Sequence, residues 1–107
     1  MKSAGIILAV VIIVVAIFVV VSLASTGTGN SVEMLGFFFH PRTLTVSQGA
    51  TVVWTNKDFV NHTVIGQGWG SGNLGRNGTY SHTFAQTGTF DYHCSHHFWM
   101  KGRVIVK

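Results

Sequence analysis

From Ala4 to Ala24 the chain carries twenty-one consecutive residues whose only polar side chain is that of Ser22. At about 1.5 Å per helical residue the run spans roughly 30 Å, the hydrocarbon thickness of a bilayer. A chain of 107 residues is too small to enclose such a run as a core element. Residues 1–24 are therefore expected to form one N-terminal transmembrane helix, serving as membrane anchor or signal segment. Ser22 and Ala24 would suit the −3 and −1 positions of a cleavage site. The run is, however, longer than the roughly 7–15 apolar residues of a signal peptide, which favours a retained anchor. Lys2 is the only charged side chain before the run and places the amino terminus in the cytoplasm. The expected location is thus the cell membrane, single-pass, with the rest of the chain on the extracytoplasmic side. Residues 25–31 read as a flexible linker. Its segment Ser25–Asn30 reaches at most about 20 Å, so a domain at 32–107 would work close to the membrane.

From Ser25 onward six basic residues (Arg42, Lys57, Arg76, Lys101, Arg103, Lys107) face three acids (Glu33, Asp58, Asp91), a balance of +3. That mildly favours acidic partners and is too small for a nucleic-acid footprint. A single cysteine excludes an internal disulfide and every site that needs two thiolates. Six histidines in so short a chain are the first indication of metal.

Beyond the anchor no helical periodicity survives. Thr43–Val46 alternates, Thr51–Thr55 is β-branched and aromatic, and Ser47–Ala50 supplies a turn between them. Val60–Ile65 is a further strand candidate, with His62 and Val64 on one face. Tyr80, His82 and Phe84 alternate with Ser81 and Thr83. Along Thr89–Cys94, Phe90, Tyr92 and Cys94 share one face, and Asp91 and His93 the other. Arg103–Lys107 closes the chain. Short strands punctuated by turns predict an all-β, antiparallel sandwich. Gly66–Gly78 holds six glycines but precedes an alternating segment, not a helix, so it reads as a connecting loop and not a phosphate cradle. Asn61-His-Thr63 and Asn77-Gly-Thr79 are glycosylation sequons, the first adjoining a site residue.

The chemistry is concentrated in Cys94-Ser-His-His-Phe-Trp-Met100, which sets a thiol, imidazoles and a thioether between two strands. Thiolate and thioether are soft donors suited to copper(I), and imidazole serves both copper oxidation states. Spacings of three, Cys94 to His97 and His97 to Met100, let one tight loop wrap a single ion. A further donor must come from elsewhere, and His62 is the best placed. Taken singly, each residue has a plainer reading: Cys94 as a buried thiol, Met100 as core, His40, His82 and His93 as structural. Their joint occurrence on a strand framework favours copper.

Thr89-Phe-Asp-Tyr-His-Cys94 with Met100-Lys-Gly-Arg-Val-Ile-Val106 resembles the carboxyl-terminal half of the amicyanins, members of the plastocyanin-type blue copper family. Phe39-His-Pro41, Leu44-Thr-Val46, Val52-Val-Trp-Thr-Asn56 and Asn61-His-Thr-Val64 resemble the amino-terminal half. The resemblance covers about residues 35–107 and implies a Greek-key, cupredoxin-like β-sandwich holding one type 1 copper. It implies imidazole nitrogen from His62 and His97, thiolate from Cys94 and an axial sulfur from Met100. A membrane-held form also resembles the halocyanins. Amicyanins carry proline on both sides of the second histidine. Here those positions are His96 and Phe98, and His96 becomes a rival ligand.

The expected function is one-electron transfer between membrane-associated redox donor and acceptor proteins, with no enzymatic activity. Docking is expected near His97, Phe98 and Trp99, an apolar collar around an exposed ligand. Two alternatives stand beside it: a copper chaperone or store, and a structural zinc site using Cys94, His62, His97 and one of His96 or His40.

Overall fold

The computed structural model describes residues 30–107. The expected membrane helix and nearly all of the linker lie outside the described residues. Seven strands follow one another: β1 (Ser31–Leu35), β2 (Phe38–His40), β3 (Thr43–Val46), β4 (Thr51–Asn56), β5 (Thr79–Thr83), β6 (Gly88–His93) and β7 (Lys101–Val106). They form two sheets, ordered β2-β1-β4-β5 and β3-β7-β6. Among the described residues there is no helix.

Period-two alternation decides which side chains lie between the sheets. Val32 and Met34 of β1, Leu44 and Val46 of β3, Val52 and Trp54 of β4, Tyr92 of β6, and Val104 and Val106 of β7 are all buried. Trp54 occupies the centre, with its ring 5.3 Å from Tyr92 and 5.7 Å from Trp69. Trp69, from the glycine-rich connection, stacks on His82 at 4.5 Å. That loop thereby covers the half-buried face of β5. Rings in offset or edge contact add packing energy beyond the area they bury.

Three features depart from expectation. The sandwich is mixed, because β1 pairs parallel with β4 and β3 parallel with β7. The chain crosses between sheets after β2, β3 and β5, and the consecutive antiparallel pairs are β1–β2, β6–β7 and, across a long connection, β4–β5. Residues 60–65 form no strand. Single bridges hold them instead, from His62 to Leu74 and from Ile65 to Gly70 and His93. Finally, 31–40 forms a hairpin that the sequence reading passed over. Its two-residue turn, Gly36-Phe37, has φ of 63° and 65°, the left-handed pair that a tight hairpin requires.

Cross-strand packing also explains one glycine. Gly102 lies opposite Tyr92, and a methyl group there would run into the phenol ring. Overpacking of this kind costs about 1–3 kcal/mol. Gly102→Ala is therefore expected to lower unfolding stability by about that amount in chemical denaturation. An unchanged midpoint would show that the Tyr92 ring can move aside.

Candidate metal centre

At one end of the sandwich His62, Cys94 and His97 bring their donor atoms within 4.8 Å of one another. They form the one such cluster among the described residues. Cys94 Sγ lies 3.9 Å from His62 Nδ1 and 3.6 Å from His97 Nδ1. The two imidazole rings are 5.0 Å apart at 73°, and each presents Nδ1 toward the thiol. Cys94 and His62 are fully buried, whereas His97 is only partly covered.

Local backbone bonds place these groups. Cys94 N–H donates to the Met100 carbonyl at 2.9 Å, and Met100 N–H donates to the His97 carbonyl at 2.9 Å. The loop from Cys94 to Met100 is thus cinched at both ends, and Met100 is fully buried at its foot. His62 arrives on a separate segment, clamped by a reciprocal pair of backbone bonds to Leu74 of 3.1 and 2.8 Å. Cys94 Sγ accepts from Thr63 N–H at 3.4 Å, and the Thr63 hydroxyl lies 3.8 Å away. Ser95 N–H donates to that same hydroxyl oxygen at 2.8 Å.

Two residues that the sequence reading missed complete the site. Asp58 bonds His62 Nε2 at 2.8 Å through Oδ2. Its carboxylate also accepts from Gly36 N–H at 2.8 Å and Phe37 N–H at 2.9 Å. Burial works to raise the Asp58 pKa, but the bonds from His62, Phe37 and Gly36 outweigh it and hold the carboxyl below its usual range. With Nε2 so occupied, the His62 Nδ1 lone pair is left for a metal, a common second-layer arrangement for ligating histidine. Phe37 sits edge-on to both ligand rings, 4.9 Å from His97 and 5.5 Å from His62. The spacing Asp58 to His62, four residues, was a visible signal; Phe37 gave none, because a β1–β2 turn was not anticipated.

The His97 pKa is lowered by partial burial and by the neighbouring His62 and His96 rings, despite the opposing influence of Asp58. The imidazole therefore stays neutral and available as a ligand near pH 7. His96 turns outward to Asn73 Oδ1 at 2.5 Å, and His40 Nε2 bonds the Leu35 carbonyl at 3.0 Å. Neither joins the cluster, which leaves the zinc alternative without its fourth donor. His93 is exposed on the opposite face from Cys94 and Tyr92 is buried, as the alternation required. Burial pushes the Tyr92 phenol up to about 12, so it stays neutral core.

A buried thiol between two imidazole nitrogens, with thioether sulfur at the loop's foot, is a donor set suited to copper. The family model for copper binding proteins of the plastocyanin/azurin family matches residues 26–107. The chain belongs to that family. It is 37% identical over 71 residues to amicyanin from Paracoccus denitrificans, covering 60% of this chain and 54% of that protein. It is 31% identical to amicyanin-alpha from Methylorubrum extorquens over 85 residues, covering 73% of this chain and 71% of the relative. The chain thus spans about half the length of the Paracoccus relatives it matches. An oxidised amicyanin variant superposes with a TM-score of 0.70 at 30% identity, over 74% of this chain and 82% of that one. A purple cupredoxin from Nitrosopumilus maritimus gives 0.69 at 29%, over 73% and 99%. The protein is an amicyanin-like cupredoxin of a copper-binding family.

The Asp58 network generates a pH dependence. A carboxylate with a depressed folded pKa stabilises the native state above its unfolded value, 3.8, and that contribution is lost as pH falls through the folded pKa. Metal-free wild-type chain is expected to lose stability below about pH 4, and Asp58→Asn to lose less over the same window. Coincident acid-unfolding curves would show that the carboxylate is not coupled to folding.

Proposed function

We propose that this cupredoxin is a type 1 copper electron carrier, tethered at the outer face of the cell membrane and exchanging single electrons with protein partners. The observation that carries the reading is the convergence of one thiol and two imidazoles, with one imidazole reaching an apolar surface. His62, Cys94 and His97 would hold the metal and Met100 would supply the axial sulfur. Bound there, copper supplies a one-electron couple, and a mixed soft and imidazole donor set serves both of its oxidation states. The chain's own part is to fix the donors. Asp58 orients His62, Thr63 supports the thiolate, and the cinched loop holds His97 and Met100.

The surface around His97 suits brief encounters. Phe98 is 84% exposed and Trp99 44%, and Phe37 and Phe38 extend the same apolar end. Trp99 Nε1 donates to the Phe37 carbonyl at 3.2 Å, and its ring lies 5.3 Å from His97. Phe37, His97 and Trp99 therefore form one contiguous contact surface, of the kind exposed where proteins meet. We extend this reading to the partners expected from the sequence, a redox donor and an acceptor that dock by turns on His97, Phe98 and Trp99.

The direction of β1 bears on the tether. β1 runs from Ser31 toward Phe37, and Phe37 touches both ligand rings. The chain enters the domain at the end remote from the ligands. A short linker would then point the metal end away from the lipid, toward partners that project from the membrane or move freely outside it.

Copper(II)-loaded protein is expected to show an intense visible band from thiolate-to-copper charge transfer, lost in Cys94→Ser. A colourless, redox-silent product would favour storage or zinc. Trp99→Ala is expected to keep that band while electron self-exchange, followed by NMR line broadening, slows by about tenfold or less, as for loss of one contact side chain. Undiminished self-exchange would remove the collar from the reading. The full chain should stay in the carbonate-resistant membrane fraction; a soluble product shortened after Ala24 would remove the tether.

A further inference from the structure

The two outer faces of the sandwich carry different charge. β7 is the middle strand of its sheet, and alternation turns Lys101, Arg103 and, just past the strand, Lys107 outward along the centre of that face. Alternate residues of a strand recur about every 6.6 Å, so the row is about 20 Å long. Arg42, just before β3, is exposed and borders the same groove as Lys101 and Arg103. Four of the six cations in residues 25–107 therefore share one face. Exposed hydroxyls flank them: Thr43 and Thr45 on one side, paired with Arg103 and Ile105, and Thr89 on the other, paired with Ile105. The single acid there is Asp91, which accepts from Arg103 Nε at 2.6 Å. The strands of the opposite sheet carry no Lys or Arg, and their outward residues include Glu33. Lys57 and Arg76 lie in connections near the metal end, where Arg76 sits over the Phe59 ring at 3.9 Å.

The sequence before the domain indicates what such a face meets. Ser25–Asn30, at most about 20 Å of chain, separates the domain from the apolar run. A domain tethered that closely meets the bilayer surface repeatedly, at an effective concentration that lets weak contacts count. Anionic headgroups form an extended plane that draws in basic side chains within a Debye length. A central row of cations between hydroxyl donors suits a flat array of phosphate oxygens. The one aliphatic side chain in the row, Ile105, is half-buried, so the face would rest on headgroups without entering hydrocarbon.

We infer that the outer face of the β3-β7-β6 sheet is a lipid-docking surface, on which the tethered domain lies down against an anionic bilayer. The inference rests on the tethered reading and adds an orientation to it. The linker alone leaves the domain upright, hinged at the end where β1 begins and β7 finishes. On anionic lipid the strands lie in the membrane plane, and His97 faces along it toward partners held in the bilayer. On neutral lipid the domain rises, and His97 turns to partners that move freely outside. Lipid charge thereby selects which partners reach the metal end.

The test uses the full chain, diamagnetic in its copper(I) or metal-free form, in lipid nanodiscs carrying a trace of gadolinium-chelate lipid. In discs with about one third phosphatidylglycerol, paramagnetic relaxation of amides in Thr43–Val46 and Lys101–Val106 should exceed that in Thr79–Thr83 by about threefold or more. The contrast should vanish in pure phosphatidylcholine and at high salt. Arg42→Gln combined with Lys101→Gln should remove most of it. Lys57→Gln combined with Arg76→Gln, the same loss of charge off the face, should preserve it. Equal relaxation of the two sheets in anionic discs, or relaxation confined to the Ser47–Ala50 turn, overturns lipid as the occupant in favour of an acidic protein and leaves the tether standing. Undiminished contrast in phosphatidylcholine overturns the role of charge. A chain recovered free of the discs overturns the tether and the orientation together. None of these outcomes depends on the thiolate-to-copper band, which tests the carrier reading separately.

Discussion

The metal end of the molecule depends on one buried amide. Asn56, the last residue of β4, has no solvent exposure, and its side chain is fully engaged. Nδ2 donates to the carbonyls of Val60 at 2.8 Å and Leu74 at 2.7 Å, while Oδ1 accepts from Asp58 N–H at 2.8 Å. Its backbone bonds Gly78 and Asn77. The two loops that meet here have almost no ladder of their own, so their carbonyls need a donor supplied from elsewhere. One amide satisfies both loops and fixes where Asp58 and His62 begin. A hydrophobic side chain of similar size would leave the Leu74 carbonyl only its bond from His62 N–H and would remove the partners of the Val60 carbonyl and of Asp58 N–H, a loss of about 1–3 kcal/mol for each such group left unsatisfied.

From that anchor the constraint passes outward through Asp58. Its carboxylate binds three donors drawn from two regions of sequence: the ligand His62 and the amides of Gly36 and Phe37. Those amides belong to a turn in which Phe37 adopts positive φ, a conformation that a large L-residue resists. The carboxylate offsets that resistance. In return, the Phe37 ring lies against both imidazoles. One acidic side chain therefore sets the orientation of the His62 ring and holds an aromatic ring against the imidazole pair.

The legibility of the sequence followed the range of the interactions involved. Where one side chain reports on its neighbours along the same strand, as in Phe90-Asp-Tyr-His-Cys94 or Val104-Ile-Val106, alternation gave the buried face correctly. Donor spacing within Cys94–Met100 gave the loop. What failed was non-local. Parallel pairing of β1 with β4 depends on residues more than twenty positions apart and leaves no trace in either segment's pattern. Val60–Ile65 alternates like a strand, yet its backbone is shared among Leu74, Gly70 and His93, so no continuous ladder forms. Phe37 was hidden for a related reason: its place beside the ligands comes from a turn stabilised by Asp58, twenty-one residues later.

The two halves of the candidate ligand set consequently need different kinds of support. Cys94, His97 and Met100 share one short loop, and two backbone bonds suffice to close it. His62 stands alone on irregular backbone, and its ring is fixed by Asp58, while its main chain is fixed by Leu74. Supporting groups of this kind matter because a redox centre whose ligands shift little between charge states reorganises little on electron transfer, and rigid positioning limits such shifts. The deep, doubly supported ligand is the buried one, and the partly exposed His97 is braced chiefly by rings, those of Phe37 and Trp99. Rings can repack against an incoming surface without breaking a hydrogen bond at the ligands. The fold thus puts its stiffest bonds around His62 and Cys94 and its most adaptable contacts around His97, where a partner would arrive.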